Sequence, residues 1–96
     1  METTNTEIYS RSELLLGSEA MQRLSRARVL MIGIGGVGSW CAEALVRTGV
    51  THITIVDPDK VAASNINRQR VATTDTVGRP KVEVLRDILL SINPNA

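Results

Sequence analysis

Two short apolar runs on either side of a glycine-rich turn constrain the fold of this chain more than any other feature. The runs occupy residues 29–32 and 53–56, and the second ends directly before Asp57. Between them lie the turn, at 33–38, and an amphipathic pattern that stops at Gly49. Strand, turn, helix and second strand in this order predict a βαβ unit of the Rossmann-like α/β class.

The glycine turn has the G-x-G-x-x-G spacing, with a further glycine inside it. In nucleotide-binding βαβ units the first glycine permits the tight turn, the second lets backbone approach phosphate, and the third lets the helix pack on the strand. The helix then directs free N–H groups at an anion. Asp57 stands close to where this fingerprint places an acid for ribose hydroxyls. The predicted nucleotide-binding residues are Gly33, Gly35, Gly36, Gly38 and Asp57.

The size and composition of the chain limit what else it contains. With 96 residues, 43% hydrophobic and 22% charged, it is expected to form one small globular domain at most. A net charge of +1 gives no general attraction for nucleic acid, yet does not exclude a folded RNA held by a local patch. The single cysteine, Cys41, excludes an internal disulfide. Without a signal peptide or an apolar run of membrane length, the expected location is the cytoplasm.

The two predicted strands make a poor sheet by themselves. Parallel sheets normally have more strands and are covered on both faces, and both runs are apolar enough for such burial. We therefore expect residues 10–96 to be the N-terminal portion of a larger parallel-sheet domain, continued by a third strand. Residues 1–9 are polar without periodicity and are predicted to be a flexible N-terminus.

Capping signals and apolar stripes predict the helices. Ser10 and Glu13 match a capping box for a helix that ends at Gly17, and Ser18 is expected to cap the next helix. The helix after the glycine turn has a stripe that we expect to be buried, formed by Val37, Trp40, Cys41, Ala44 and Leu45. A last helix starts at Pro80 and presents apolar residues to the core.

The polar residues outside the fingerprint bear on which nucleotide is bound. A stretch at 64–70, containing Asn65, Arg68 and Gln69, is predicted to be a surface loop or short helical turn. Lys81 lies in the first turn of the last helix, where a cation opposes the helix dipole. The glycine fingerprint alone suggests NAD. The added cations favour ATP, because fixed charges and a metal held on carboxylates stabilise a leaving pyrophosphate.

Together these motifs resemble the E1-like adenylating enzymes, the superfamily of ThiF-type domains. The resemblance rests on the glycine turn, on Asp57-x-Asp59, on N-x-x-R-Q at 65–69 and on V-G-x-P-K at 77–81. Within that superfamily, the stretches most like the tRNA threonylcarbamoyladenosine dehydratases are 11–17, 36–40 and 47–49. The similarity extends from about residue 10 to residue 94, so 10–96 is expected to be part of an E1-like ATP-binding domain.

The resemblance implies roles for the matching positions. Asp57 would bind the ribose hydroxyls, and Asp59 would lie near the phosphates and Mg²⁺. The contacts to the triphosphate would come from Asn65, Arg68 and Lys81. Gln69 would support the loop. Arg11 matches an arginine that reaches into the partner subunit's site, which implies a homodimer. The implied catalytic residues are Arg68, Lys81 and Arg11.

The implied reaction is ATP-dependent adenylation of a carboxylate, followed by cyclising dehydration of threonylcarbamoyladenosine in tRNA. The family also uses an aspartate beyond position 96, so this chain alone is expected to be an incomplete enzyme. One alternative within the superfamily is adenylation of the C-terminus of a ubiquitin-like sulfur carrier, with a sulfur-transfer protein as partner. Alternatives of other classes are an NAD-binding oxidoreductase module and a regulatory nucleotide-binding fragment.

Overall fold

A computed structural model describes residues 3–96 as a two-stranded sheet with helices packed on it. The helices and strands, in chain order, are α1 (Asn5–Ile8), α2 (Ser10–Leu16), α3 (Ser18–Arg26), β1 (Arg28–Ile32), α4 (Gly36–Thr48), β2 (His52–Val56), a 3-10 turn (Ala63–Asn65) and α5 (Lys81–Ile92). The strands β1 and β2 are parallel, with Val29 opposite Ile53, and α4 forms the crossover between them. The predicted α/β class and βαβ unit are therefore confirmed.

The core lies on one face of the sheet. Met31, Ile53 and Ile55 pack there against buried residues of α4 and α5. The opposite face is open within the described residues, where 76% of Ile32 is exposed and 62% of Leu30. Within the described residues the helices cover one side of the sheet only, so the apolar side chains that we expected a larger domain to bury are open on the other side.

We predicted a flexible N-terminus for residues 1–9; residues 1–2 lie outside the described residues, and residues 4–9 hold a short helix and a buried tyrosine. Thr4 caps α1, and Tyr9 is buried at 6% exposure. The Tyr9 hydroxyl donates to the carbonyl oxygen of Val46 and accepts a hydrogen bond of 3.0 Å from Asn93 Nδ2. These partners lie far along the chain, so the local polar pattern gave no sign of the anchoring.

The caps of α2 and α3 also differ from the prediction. Tyr9 stands at the N-cap of α2 and Ser10 lies inside the helix, so the Ser10–Glu13 capping box does not form in the described structure. Gly17, at φ +86°, ends α2 as predicted and at once begins α3. Ser18 is consequently the first helical residue rather than the cap. A glycine with positive φ turns the chain sharply enough to serve both helices.

Helix α4 buries a different stripe from the one predicted. Val37 is 85% exposed and Trp40 is 51% exposed, and Cys41 is exposed as well, so assigning this stripe to the core was wrong. The buried residues of α4 are Ser39, Ala42 and Val46. Small side chains at two of these positions let the helix approach the sheet closely, which a stripe containing tryptophan does not.

Helix α5 begins directly after Pro80, as predicted, and buries Leu85 and Leu89. Its N-terminus is tied to the loop after β2, because the main chain of Lys60 pairs with that of Pro80 in an isolated antiparallel bridge. Among the described residues, none of the helices has the length and apolar character needed to cross a membrane.

Candidate active site at the glycine turn

The glycine turn joins β1 to α4 in the way its spacing predicts. Gly33 adopts φ +85°, and its N–H donates to the carbonyl oxygen of Val56 at 2.8 Å. A Cβ on Gly38 would lie 2.2 Å from the carbonyl oxygen of Gly33, so only glycine permits this packing. Gly35 is the N-cap of α4 and provides no side-chain hydrogen bond to the helix. The first N–H groups of α4 are therefore directed at the space beside the turn, where an anion is stabilised.

Asp57 closes the turn from the end of β2. Its Oδ2 accepts a hydrogen bond of 2.9 Å from the N–H of Ile34, and its Oδ1 accepts one of 2.8 Å from the N–H of Asp59. Each oxygen of an ionised carboxylate has two lone pairs. Each therefore retains one acceptor position for a hydroxyl group.

The surroundings of Asp57 favour its charged form. Burial raises the pKa of Asp57, but the hydrogen bonds from Ile34 and Asp59 and the charge of Lys81 outweigh it and bring the pKa below the ordinary value of 3.8. The folded state thus binds its proton less readily than the unfolded state. The resulting stabilisation is present above pH 3.8 and is lost as the pH falls through the lower, folded pKa.

An Asp57→Asn variant is expected to be less stable than the natural chain above pH 3.8, because it removes one of the two acceptors and the charge. The difference in urea midpoint between the two proteins should narrow as the pH is lowered further, because both then lack the carboxylate. Urea unfolding at a series of pH values measures this. Asp75→Asn, a change in an exposed loop, is the control, and a difference that is constant with pH would contradict the argument.

The stretch at 64–70 folds over the glycine turn. Asn65 shapes it, since its Oδ1 accepts from the N–H of Ala62 at 2.9 Å and its carbonyl oxygen accepts from the N–H of Gln69 at 2.9 Å. The side chain of Arg68 passes beside the turn, with Cγ 3.7 Å from the place of a Cβ on Gly36. The Arg68 guanidinium donates to the carbonyl oxygen of Ser64 at 3.1 Å. The loop thus carries an exposed cation to the start of α4.

Gln69 is the buried member of the loop. Its side chain is 7% exposed, and its Nε2 lies 3.6 Å from the place of a Cβ on Gly35. Its Oε1 has no hydrogen-bond partner among the described residues. A buried, unpaired amide oxygen is costly, so a further polar group that reached Gln69 Oε1 would stabilise the loop at the turn.

Lys81 lies next to the loop that follows Asp57. It is the first residue of α5 and is 6% exposed, and its N–H donates to the carbonyl oxygen of Asp59 at 3.0 Å. Its charge also acts on Asp57. The structure therefore brings both predicted aspartates, Lys81, Arg68, Gln69 and the glycines around one site.

The roles predicted for two residues need groups that the described residues do not supply. Arg11 is exposed on α2, and within residues 3–96 no hydrogen bond or ion pair links it to the glycine turn. Asp59 has no companion ligands, since no cluster of three His, Cys, Asp or Glu side chains able to hold a metal is found in the described part of the chain. A role for either residue in the site therefore depends on a group outside this chain.

Sequence reasoning missed Ser39, which connects the turn to the loop. Its hydroxyl donates to the carbonyl oxygen of Gly35 at 2.6 Å and accepts from the N–H of Arg70 at 3.1 Å. The side chain is completely buried. A serine directly after the last glycine of the fingerprint is the one signal that pointed to it.

Comparison with known proteins gives matches along nearly the whole chain. A sequence model of the ThiF family matches residues 9–96. The tRNA threonylcarbamoyladenosine dehydratase of Bacillus subtilis is 46% identical over 86 residues, which cover 90% of this chain and 34% of that protein. The molybdopterin-synthase adenylyltransferase of Salmonella typhimurium is 43% identical over 89 residues, covering 91% and 36%.

A solved structure gives the same result. The crystal structure of Escherichia coli tRNA N6-threonylcarbamoyladenosine dehydratase in complex with ATP has a TM-score of 0.92 and 43% identity, and the match covers 95% of this chain and 37% of that one. The chain thus spans about a third of the length of the proteins it matches.

Proposed function

The chain belongs to the ThiF family, and from this premise we propose that it forms the ATP-binding part of an enzyme that adenylates a carboxylate. One observation carries the proposal: the cation of Arg68 lies beside a glycine turn that Asp57 closes, and the charge of Lys81 acts on Asp57. A hydride-transferring site has no need of two fixed cations at the phosphates. A site that releases pyrophosphate does, because negative charge develops on the leaving group.

Each part of the site fits one part of ATP. The free acceptor positions of Asp57 suit the ribose hydroxyls, and the start of α4 suits a phosphate. We assign the contacts to the triphosphate to Asn65, Arg68 and Lys81. Gln69 supports the loop from its buried position beside Gly35.

We also propose that Mg²⁺ accompanies the nucleotide. Mg²⁺ is commonly held by one or two carboxylates together with substrate phosphates and water. A single carboxylate at Asp59, next to the phosphate side of the turn, fits that requirement without a dedicated cage of protein ligands. When bound, the ion neutralises phosphate charge.

The carboxylate that we propose as substrate is that of threonylcarbamoyladenosine in tRNA. Its oxygen attacks the α-phosphorus of ATP and pyrophosphate leaves. The acyl adenylate then cyclises and releases AMP, so the modified nucleoside loses one water overall. The names of the Bacillus subtilis relative and of the Escherichia coli structure with ATP support this choice. Both the nucleotide and tRNA are present in the cytoplasm, which we propose as the location.

The second candidate is adenylation of the C-terminus of a ubiquitin-like sulfur carrier. The Salmonella typhimurium relative, a molybdopterin-synthase adenylyltransferase, favours it at a similar level of identity. The two candidates share the ATP site described above and differ in the acyl substrate.

We expect the complete protein to bind ATP with Mg²⁺ more tightly than NAD, because Arg68 and Lys81 each add a charge-assisted contact to the triphosphate. Isothermal titration calorimetry with each nucleotide measures the preference. Exchange of labelled pyrophosphate into ATP, with unmodified tRNA as the control against threonylcarbamoyladenosine-containing tRNA, tests the substrate. Tighter binding of NAD would exclude the adenylating function, and exchange only with a carrier protein would select the second candidate.

A further inference from the structure

Trp40 contacts the loop that carries Arg68, although half of its surface is exposed. Its indole Nε1 donates a hydrogen bond of 3.0 Å to the carbonyl oxygen of Arg68. The residue is 51% exposed and is not among the residues that form the core or pack on it. The contact therefore acts on the loop rather than on the packing of α4.

Arg70 is held by the same side of α4. Its Nε lies 3.0 Å from Glu43 Oε1, and the Glu43 side chain is 14% exposed, which strengthens the pair relative to one in open water. The N–H of Arg70 donates to Ser39 Oγ at 3.1 Å. The guanidinium carbon lies 5.8 Å from the centroid of the Trp40 ring, within range of a cation–π interaction.

These contacts fix the loop backbone on both sides of Gln69 while leaving the Arg68 side chain exposed. That guanidinium donates to Asn67 Oδ1 at 2.9 Å and to the carbonyl oxygen of Ser64, partners that a phosphate oxygen can replace. Because the loop backbone is already fixed, less conformational entropy is lost when the Arg68 guanidinium binds a phosphate. A misplaced catalytic group lowers the reaction rate, so the position of the loop matters for the rate.

We infer that Trp40 is a positioning residue that holds Arg68 beside the glycine turn during adenylate transfer. The effect of Trp40 on the reaction rate rests on the proposed function. The effect of Trp40 on the position of the loop rests on the contacts alone. It assigns Trp40 no direct contact with the nucleotide.

A Trp40→Phe variant of the complete protein tests this. The change keeps an aromatic ring against Arg70 and removes the indole N–H. We expect pyrophosphate exchange to slow roughly three- to tenfold, the scale of one lost hydrogen bond, with little change in the dissociation constant of ATP. The same change made in an Arg68→Ala protein should have almost no further effect, because the group being positioned is gone.

Cys41→Ser, at the neighbouring exposed position of α4, is the matched control and should leave the rate unchanged. Equal slowing by Trp40→Phe in the presence and absence of the Arg68 side chain would assign Trp40 a general structural role and overturn the inference. Weaker ATP binding at an unchanged rate would assign it a nucleotide contact and overturn it as well. If Trp40→Phe fails to fold, Glu43→Gln should give a smaller loss with the same dependence on Arg68, and a loss independent of Arg68 would again count against the inference.

Amide hydrogen exchange separates this inference from the proposed function. If the natural protein neither exchanges pyrophosphate nor binds ATP, the proposed function fails. The effect of Trp40 on the loop is then judged by amide exchange at residues 68–70, which Trp40→Phe should accelerate while exchange within α5 stays the same. Unchanged exchange at 68–70 would overturn the positioning role of Trp40.

Discussion

A Lys81→Met variant is expected to lose roughly 10²–10³ in the rate of adenylate transfer, the scale for removing one fixed group that stabilises developing charge. Lys81 is buried at the start of α5, and its main-chain N–H donates to the carbonyl oxygen of Asp59, so packing and this hydrogen bond fix the position of the residue. Methionine keeps a similar unbranched shape, so the fold should survive. Single-turnover release of pyrophosphate with saturating ATP measures the rate.

Arg68→Ala should lower the rate of adenylate transfer on the same scale. Because the Arg68 side chain is exposed, its removal should leave the fold intact, so a lower rate would not come from misfolding.

Asp57→Ala should instead raise the KM for ATP, because contacts to the ribose are made both before and during the reaction. Arg86→Met, an exposed cation on the same helix as Lys81, is the control and should leave the rate intact. Unchanged pyrophosphate release in Lys81→Met and Arg68→Ala would contradict the assignment of these cations to the triphosphate.

The parts of the fold that could be predicted are those set by neighbours in the sequence. Apolar runs at 29–32 and 53–56 identify β1 and β2 to within a residue. The glycine spacing identifies the turn, because the approach of Gly38 to the Gly33 carbonyl admits no side chain. Pro80 identifies the start of α5. Each of these signals acts within a few residues of the element it predicts.

The orientation of α4 could not be predicted in this way. The helix has apolar residues on two sides, and the stripe with Trp40 is larger and more regular than the stripe with Ala42 and Val46. The close approach of the helix to β1 at Gly38 determines which side of α4 faces the core, and it favours the side with small residues. This distance belongs to the packed structure and cannot be read from the spacing of apolar residues in the sequence.

Some features of the candidate site could likewise be predicted from the sequence, and others could not. The types of residue that the structure brings to the glycine turn could be predicted from the fingerprint and the loop. Their connections could not, because Trp40 and Arg68 are separated by 28 positions and no local pattern links them. The anchoring of Tyr9 by Asn93, separated by 84 positions, was missed for the same reason. Long-range hydrogen bonds leave no periodic trace in a single sequence.

Arg11 is the one predicted catalytic residue that this chain does not bring to the site, and a homodimer would supply the missing connection. Arg11, Leu14 and Leu15 have the spacing of one helix face, and the two leucines are 84% and 85% exposed. Exposed leucines beside an arginine suit a surface that docks on a second copy. An arginine carried by such a surface can place its planar guanidinium on phosphate oxygens of the partner's site.

Arg11→Ala and Lys81→Met are each expected to be nearly inactive alone and to regain activity when mixed. In a mixed dimer, one site combines the intact Lys81 of one chain with the intact Arg11 of the other, whereas the second site lacks both. Random exchange of subunits in a closed dimer should therefore restore about a quarter of the natural activity. Pyrophosphate exchange before and after mixing measures the recovery.

Mixing Lys81→Met with Arg68→Ala is the matched control. Both residues belong to the same site of one chain, so every site in every mixed dimer stays defective and no activity should return. Recovery in the first mixture but not in the second can arise only if Arg11 acts across the interface. Full activity of Arg11→Ala alone would reduce Arg11 to a solvated side chain on α2. No recovery despite proven subunit exchange would show that Arg11 acts within its own chain.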